Sequence, residues 1–181
     1  KLQSVALRRV STDSASLGSL PYTLNNLAVS YQYMGDMARA ESLALEATEA
    51  EARVRGRRSV PYGSTLRNLA GIYESQRRLA EADSVARLSM DVLRGTVGAA
   101  HPEYLRVVAM LAGISVEYYA RMERGDLAGV SVEVLESLTR ALRLDEAEAD
   151  HLHALAETAG PHPVRRRRSP AQQPFRPSLQ R

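Results

Sequence analysis

Two stretches of this chain repeat one another at an interval of 42 residues. Leu24-Asn25-Asn26-Leu27-Ala28-Val29-Ser30-Tyr31 returns as Leu66-Arg67-Asn68-Leu69-Ala70-Gly71-Ile72-Tyr73. The register then holds downstream, pairing Ala38 with Ala80, Ala40 with Ala82, Glu41 with Asp83, Ser42 with Ser84 and Leu43 with Val85. A period of this length marks stacked supersecondary units, none of which can bury its apolar face alone. It restricts this part of the chain to an all-α array of helix pairs.

Each unit has the same internal logic. Leu24, Leu27, Ala28 and Tyr31 recur at helical spacing and form one apolar stripe. Gly35-Asp36 supplies a turn, and Ala40, Leu43, Ala44 and Ala47 form a second stripe on the returning helix. Small alanines let the two helices approach closely. In the second unit Arg77 stands where the first has its turn glycine, at some cost in local fit.

These residues resemble tetratricopeptide repeats of the longer, kinesin-light-chain-like kind, down to the Gly98-Ala99-Ala100-His101-Pro102 spacer. The resemblance covers about residues 1–107, with a truncated leading helix (Val5, Ala6, Leu7) and two complete units. Such arrays usually need about three units to bury a continuous core. The resemblance implies a groove that takes a protein or peptide partner. Asn26 and Asn68 hold equivalent first-helix positions and can either hydrogen-bond a peptide's backbone there or satisfy neighbouring groups between repeats.

From Val108 the sequence changes character. Val108-Ala109-Met110-Leu111-Ala112 reads as a helix closed by Gly113, a residue suited to a left-handed helix end. Ser115 is placed to cap a following helix. On that helix Val116, Tyr119 and Met122 face inward, leaving Glu117, Tyr118, Arg121 and Arg124 outward. The stretch resembles a helix-turn-helix of the lambda-repressor-like (XRE) class and, within it, MmyB-like bacterial regulators. It shares with them Tyr118-Tyr119, Arg121-Met122-Glu123-Arg124-Gly125 and the continuation Asp126-Leu127-Ala128-Gly129-Val130-Ser131. The likeness extends through Leu138, Leu144 and Leu152.

The resemblance implies a second helix lying in the major groove of double-stranded DNA. Glu117 and Arg121 would then meet base edges, while Ser115, Tyr118 and Arg124 hold phosphates. Glu123 is expected in a structural ion pair or cap. There are two departures. The first helix of that class is replaced by His101–Val107, which continues the repeat pattern, and the family's ligand-binding second domain is absent from the sequence. Without that first helix, part of the buried face of Leu111, Tyr119 and Leu138 loses its cover, for which a repeat helix could substitute. A competing alignment also exists. Leu69-Ala70-Gly71-Ile72 and Leu111-Ala112-Gly113-Ile114 again stand 42 apart, so Leu127–Leu142 could form the second helix of a third repeat.

Charge divides sharply along the chain. Residues 108–160 hold ten acids against four arginines, a net −6, whereas 161–181 hold six arginines and no acid. That tail, with Arg165-Arg166-Arg167-Arg168 among prolines, is expected to be disordered and to add at most salt-sensitive phosphate affinity. Lys1 is the only lysine, and the arginine- and alanine-rich composition suits a GC-rich bacterial genome. There is no cysteine, hence no disulfide or thiolate metal site. His151 and His153 are two apart and cannot share a metal across one helix face. With no phosphate loop or nucleophile motif, neither an enzyme nor a cofactor is expected. No apolar run is long enough to span a bilayer. Lys1 opens inside a helical pattern without an apolar leader, which is expected of a cytoplasmic protein represented by a fragment.

The expected organisation is therefore all-α: a tetratricopeptide region at 1–107, a helix-turn-helix region lacking its first helix at 108–160, and a basic tail at 161–181. The function expected of it is DNA-binding transcription regulation, by a whole regulator or a fragment of one, with a protein-interaction repeat region. The alternative is a protein-interaction scaffold whose C-terminal helices only cap the array.

Overall fold

The computed structural model describes residues 14–159, with side chains described from Ser19 onward. The leading-helix residues Val5, Ala6 and Leu7 and the tail at 161–181 lie outside the described residues. Among these there are eight helices and no strand: α1 (Ser14–Tyr33), α2 (Met37–Val54), α3 (Val60–Ser75), α4 (Leu79–Val97), α5 (Pro102–Ala112), α6 (Val116–Glu123), α7 (Val132–Leu142) and α8 (Glu146–Thr158). None of them is long and apolar enough to cross a membrane.

The two 42-residue units form the helix pairs α1–α2 and α3–α4, and α3 stacks on both helices of the first pair. Their turns use different means to the same end. Gly35 takes φ +81° without a side chain to strain it, and Asp36 caps α2 by accepting the Arg39 amide at 3.2 Å. In the second unit Arg77 is held at φ 63°, the left-handed conformation expected to cost a non-glycine residue about 1–2 kcal/mol. Arg78 is next, stacked over Tyr73 at 4.3 Å and ion-paired with Glu41 at 2.8 Å, so it ties the second turn to the first repeat.

The matched stripes are not equally buried. Leu66, Leu69, Ala70 and Tyr73 all lie in the interior. Their counterparts on α1 do not: Ala28 is enclosed, Leu24 and Tyr31 are half-buried, and Leu27 is 42% exposed. The expected first stripe is thus only partly core. Helix α3 has neighbours on both sides, whereas no described element covers the far side of α1.

Polar bonds at a similar stagger fasten one unit to the next. Gln32 Nε2 donates to the Gly71 carbonyl at 3.1 Å and to Ser75 Oγ at 3.0 Å. Gln76 Nε2 donates to Glu41 at 2.8 Å, and Ser64 Oγ to Glu103 at 2.9 Å. Within the second pair, the closest approach is at Gly63. A Cβ there would sit 2.6 Å from Leu93 Cγ, and Ser89 Oγ, itself buried, donates to the Gly63 carbonyl at 2.7 Å.

The final four helices continue the array without a gap. Helix α5 packs on α4, and its other side receives α6 and α7, with α8 resting on α7. No single helix runs from 127 to 142, as a third repeat would require. The chain instead forms α6, an irregular segment at 124–131, and then α7.

Two substitutions test this packing by urea denaturation. Gly63→Ala should destabilise by about 1–3 kcal/mol, because fully buried Leu93 has nowhere to move. Arg77→Gly should stabilise by up to about 1 kcal/mol, since relief of the left-handed strain exceeds the added freedom of the unfolded chain.

Candidate nucleic-acid interface

Helix α5 ends where the sequence places its stop. Gly113 adopts φ 67°, and the Ile114 amide reaches back to the Ala109 carbonyl at 3.0 Å while the Gly113 amide bonds Met110 at 3.1 Å. These are the bonds of a helix end closed through a left-handed residue. Ser115 then turns extended and accepts the Tyr118 amide on its Oγ at 3.1 Å, starting α6 with three residues between it and α5. Helix–turn–helix geometry results from this stop and this cap.

One side of α6 is fixed in the core. Tyr119 and Met122 are buried, and Val116 is half-buried. Burial first, then a hydrogen bond from its hydroxyl to Glu123, pushes the Tyr119 phenol far above its usual range. Glu123 is thereby engaged in structure. The opposite side carries the residues singled out for DNA. Ser115, Glu117 and Arg124 are exposed, and Tyr118 and Arg121 are half-buried. The Arg121 guanidinium lies over the Tyr118 ring, 4.7 Å from its centroid, and Arg121 Nε stands 3.5 Å from Asp126 Oδ2. Tyr118, Arg121 and Arg124 succeed one another at three-residue spacing, and Glu117 lies four before Arg121, so the four form one strip. Ser115 Oγ, though accepting an amide, keeps its own proton to donate.

The cover missing from the sequence pattern comes from the repeats. Tyr119, Met122, Leu127, Leu135 and Leu138 share one continuous core with Ala86, Met90 and Leu93 of α4, joined through Tyr104, Val107, Val108, Ala109 and Ala112 of α5. Arg87 of α4 also donates to the Ala141 carbonyl at 3.4 Å. Tyr119 and Leu138 are enclosed, and Leu111 is half-buried. Tyr118 packs at the edge of that core, while Glu117 and Arg124 stay exposed beyond it. On the far side an open cavity of about 520 Å³ lies between α6, α7 and α8, and α8 buries no residue fully.

The two asparagines of the repeat groove differ. Asn68 is half-buried and its Nδ2 donates to Asn25 Oδ1 at 2.9 Å, a bond between repeats. Asn26 is exposed, and its carbonyl takes the Ser30 hydroxyl at 2.9 Å. Asn25 was not singled out by sequence reasoning, because the 42-residue alignment pairs it with Arg67 rather than with the residue it touches.

Helix α5 is oriented by one carboxylate. Glu103 accepts from Ser64 and pairs with Arg106 and, at 3.7 Å, with Arg67 of α3. Burial pushes its carboxyl up, but the Ser64 hydrogen bond and the two arginines outweigh that and hold it below the ordinary value of 4.5.

Two known families match parts of the chain. The tetratricopeptide repeat family matches residues 19–95. The helix-turn-helix domain family matches residues 105–152. A repeat region thus precedes a helix-turn-helix domain, and the second match begins inside α5. No curated protein matches the chain.

The Glu103 network gives a pH signature. Its carboxyl is depressed in the folded state, so its stabilisation is complete above the unfolded value near 4.5 and drains away as pH falls through the lower folded value. Glu103→Gln should lower stability at pH 7 and flatten the loss of stability below pH 4.5, measured by urea midpoints across a pH series.

Proposed function

We propose that this chain is a DNA-binding transcription regulator, or part of one, whose repeat region receives a protein partner. The observation that carries the proposal is α6: its Tyr119–Met122 side is locked into the core while Glu117, Tyr118, Arg121 and Arg124 line the other. In this arrangement α6 enters the major groove with its N-terminal end foremost. Arg121 takes guanine O6 and N7, and Glu117 accepts from a cytosine amino group. Ser115, Tyr118 and Arg124 hold phosphates and set the register. The finer likenesses to MmyB-like regulators of the lambda-repressor class and to kinesin-light-chain-like repeats support a bacterial, cytoplasmic regulator of this kind.

Residues 1–107 then serve the partner and 108–160 the DNA, with no cofactor required. Asn26 is open to a peptide backbone as it stands, whereas Asn68 must first release Asn25. The net −6 of residues 108–160 opposes DNA, so affinity rests on the local placement of Arg121 and Arg124 and on the six arginines at 161–181. That charge, together with the core shared by α4, α5 and α7, also favours the second reading, a protein scaffold whose last helices cap the array.

Electrophoretic shift at low salt against random duplexes and duplexes selected from a randomised pool separates the two. The regulator should select a sequence, Arg121→Ala should weaken that complex by about 1–3 kcal/mol, and Glu117→Ala should relax preference at one position. No shift at low salt, or complexes indifferent to both substitutions, would leave the scaffold.

A further inference from the structure

We infer that Asp126 and Tyr118 together position Arg121 for a single base, making Asp126 a specificity-determining residue that itself touches no DNA. This rests on the DNA-reading role of α6 proposed above. Three features converge on the one guanidinium. Its Cζ lies over the Tyr118 ring, 4.7 Å from the centroid and one helical turn back. Its Nε is buried and stands 3.5 Å from Asp126 Oδ2, an ion pair rather than an aligned hydrogen bond. The backbone holds the carboxylate there: Gly125 at φ +87° turns the chain off α6, and the Asp126 amide bonds back to the Arg121 carbonyl at 3.3 Å.

The chemistry of the guanidinium gives this clamp its consequence. The Tyr118 ring takes one side and Asp126 takes the Nε side, so the Nη1–Nη2 edge is the fork offered to a guanine. A free arginine would have to surrender much of its rotamer freedom on binding, and one already held surrenders less. Asp126 also subtracts a positive charge's worth of attraction for phosphates in general. The clamp therefore trades non-specific affinity for discrimination, and the two effects have opposite signs.

That opposition makes the test. The wild-type chain selects a duplex from a randomised pool, and affinity is measured for that duplex, for the same duplex with each G·C pair changed in turn to A·T, and for a scrambled duplex. In Asp126→Asn, discrimination at one G·C position should fall about tenfold, while affinity for the scrambled duplex rises a few-fold. Tyr118→Phe, which keeps the ring, should retain discrimination, and Tyr118→Ala should lose it as Asp126→Asn does. Circular dichroism melts of each variant accompany the titrations. Unchanged discrimination in Asp126→Asn, or a parallel loss on selected and scrambled duplexes, overturns the clamp while leaving DNA reading intact. A wild-type chain that selects no sequence overturns both.

Discussion

Helix α5 has to satisfy two cores at once, and everything C-terminal to the repeats depends on its doing so. Val107, Val108 and Ala109 are consecutive and all enclosed. At about 100° per residue, three successive buried positions sweep some 200° of the helix surface, far more than a single packing stripe. Such a helix is stable only with cover on two sides. One side is α4, through Met90 and Leu93, and the other is α6 and α7, through Tyr119 and Leu138. Removing either partner would expose valines that the other cannot shield. The repeat array and the helix-turn-helix are therefore parts of one cooperative body around α5, and the junction expected at 107/108 falls inside that helix.

This shared helix bears on both readings of function. A peptide held by Asn26 and Asn68 would lie on α1 and α3, and α3 is joined to α5 through Ser64, Arg67 and Glu103. The opposite side of α5 sets the angle of α6. A partner bound to the repeats and a DNA duplex bound to α6 would thus act on the same eleven-residue element. Coupling between them requires no pathway beyond rigid packing, but it does require that α5 have two arrangements of comparable energy.

Local features were legible in the sequence where a single residue decides them. Gly113 and Ser115 stop one helix and start the next with the geometry their side chains favour, and Arg77 sits in the left-handed conformation that alignment with Gly35 demands. The features that were not legible depend on neighbours. The stripe Leu24–Tyr31 matches Leu66–Tyr73 in pattern, yet only the second is enclosed, because periodicity names a face and not its cover. Gly63 gave no signal, since nothing in its surroundings in the chain tells that Leu93 will lie against it. The strip on α6 was legible as a face, while the closure of Asp126 onto Arg121 depends on a turn whose direction only the fold reveals.

The string Leu-Ala-Gly-Ile shows how that dependence works. It occurs at 69–72 and 111–114 with two outcomes. Gly71 stays inside α3, whereas Gly113 ends α5. The glycine favours neither strongly, since a mid-helix glycine costs only about 1 kcal/mol. The residues C-terminal to it decide. After Gly71, continuing the helix delivers Ile72 and Tyr73 into the inter-repeat core, each a burial of about 1.5–3 kcal/mol, and the cost of the glycine is easily offset. After Gly113, the next polar residue is Ser115, which caps a helix in a new direction, and only that direction brings Tyr119 and Met122 under α5. The four residues are neutral, and the apolar side chains downstream choose between one more turn of repeat and the start of α6.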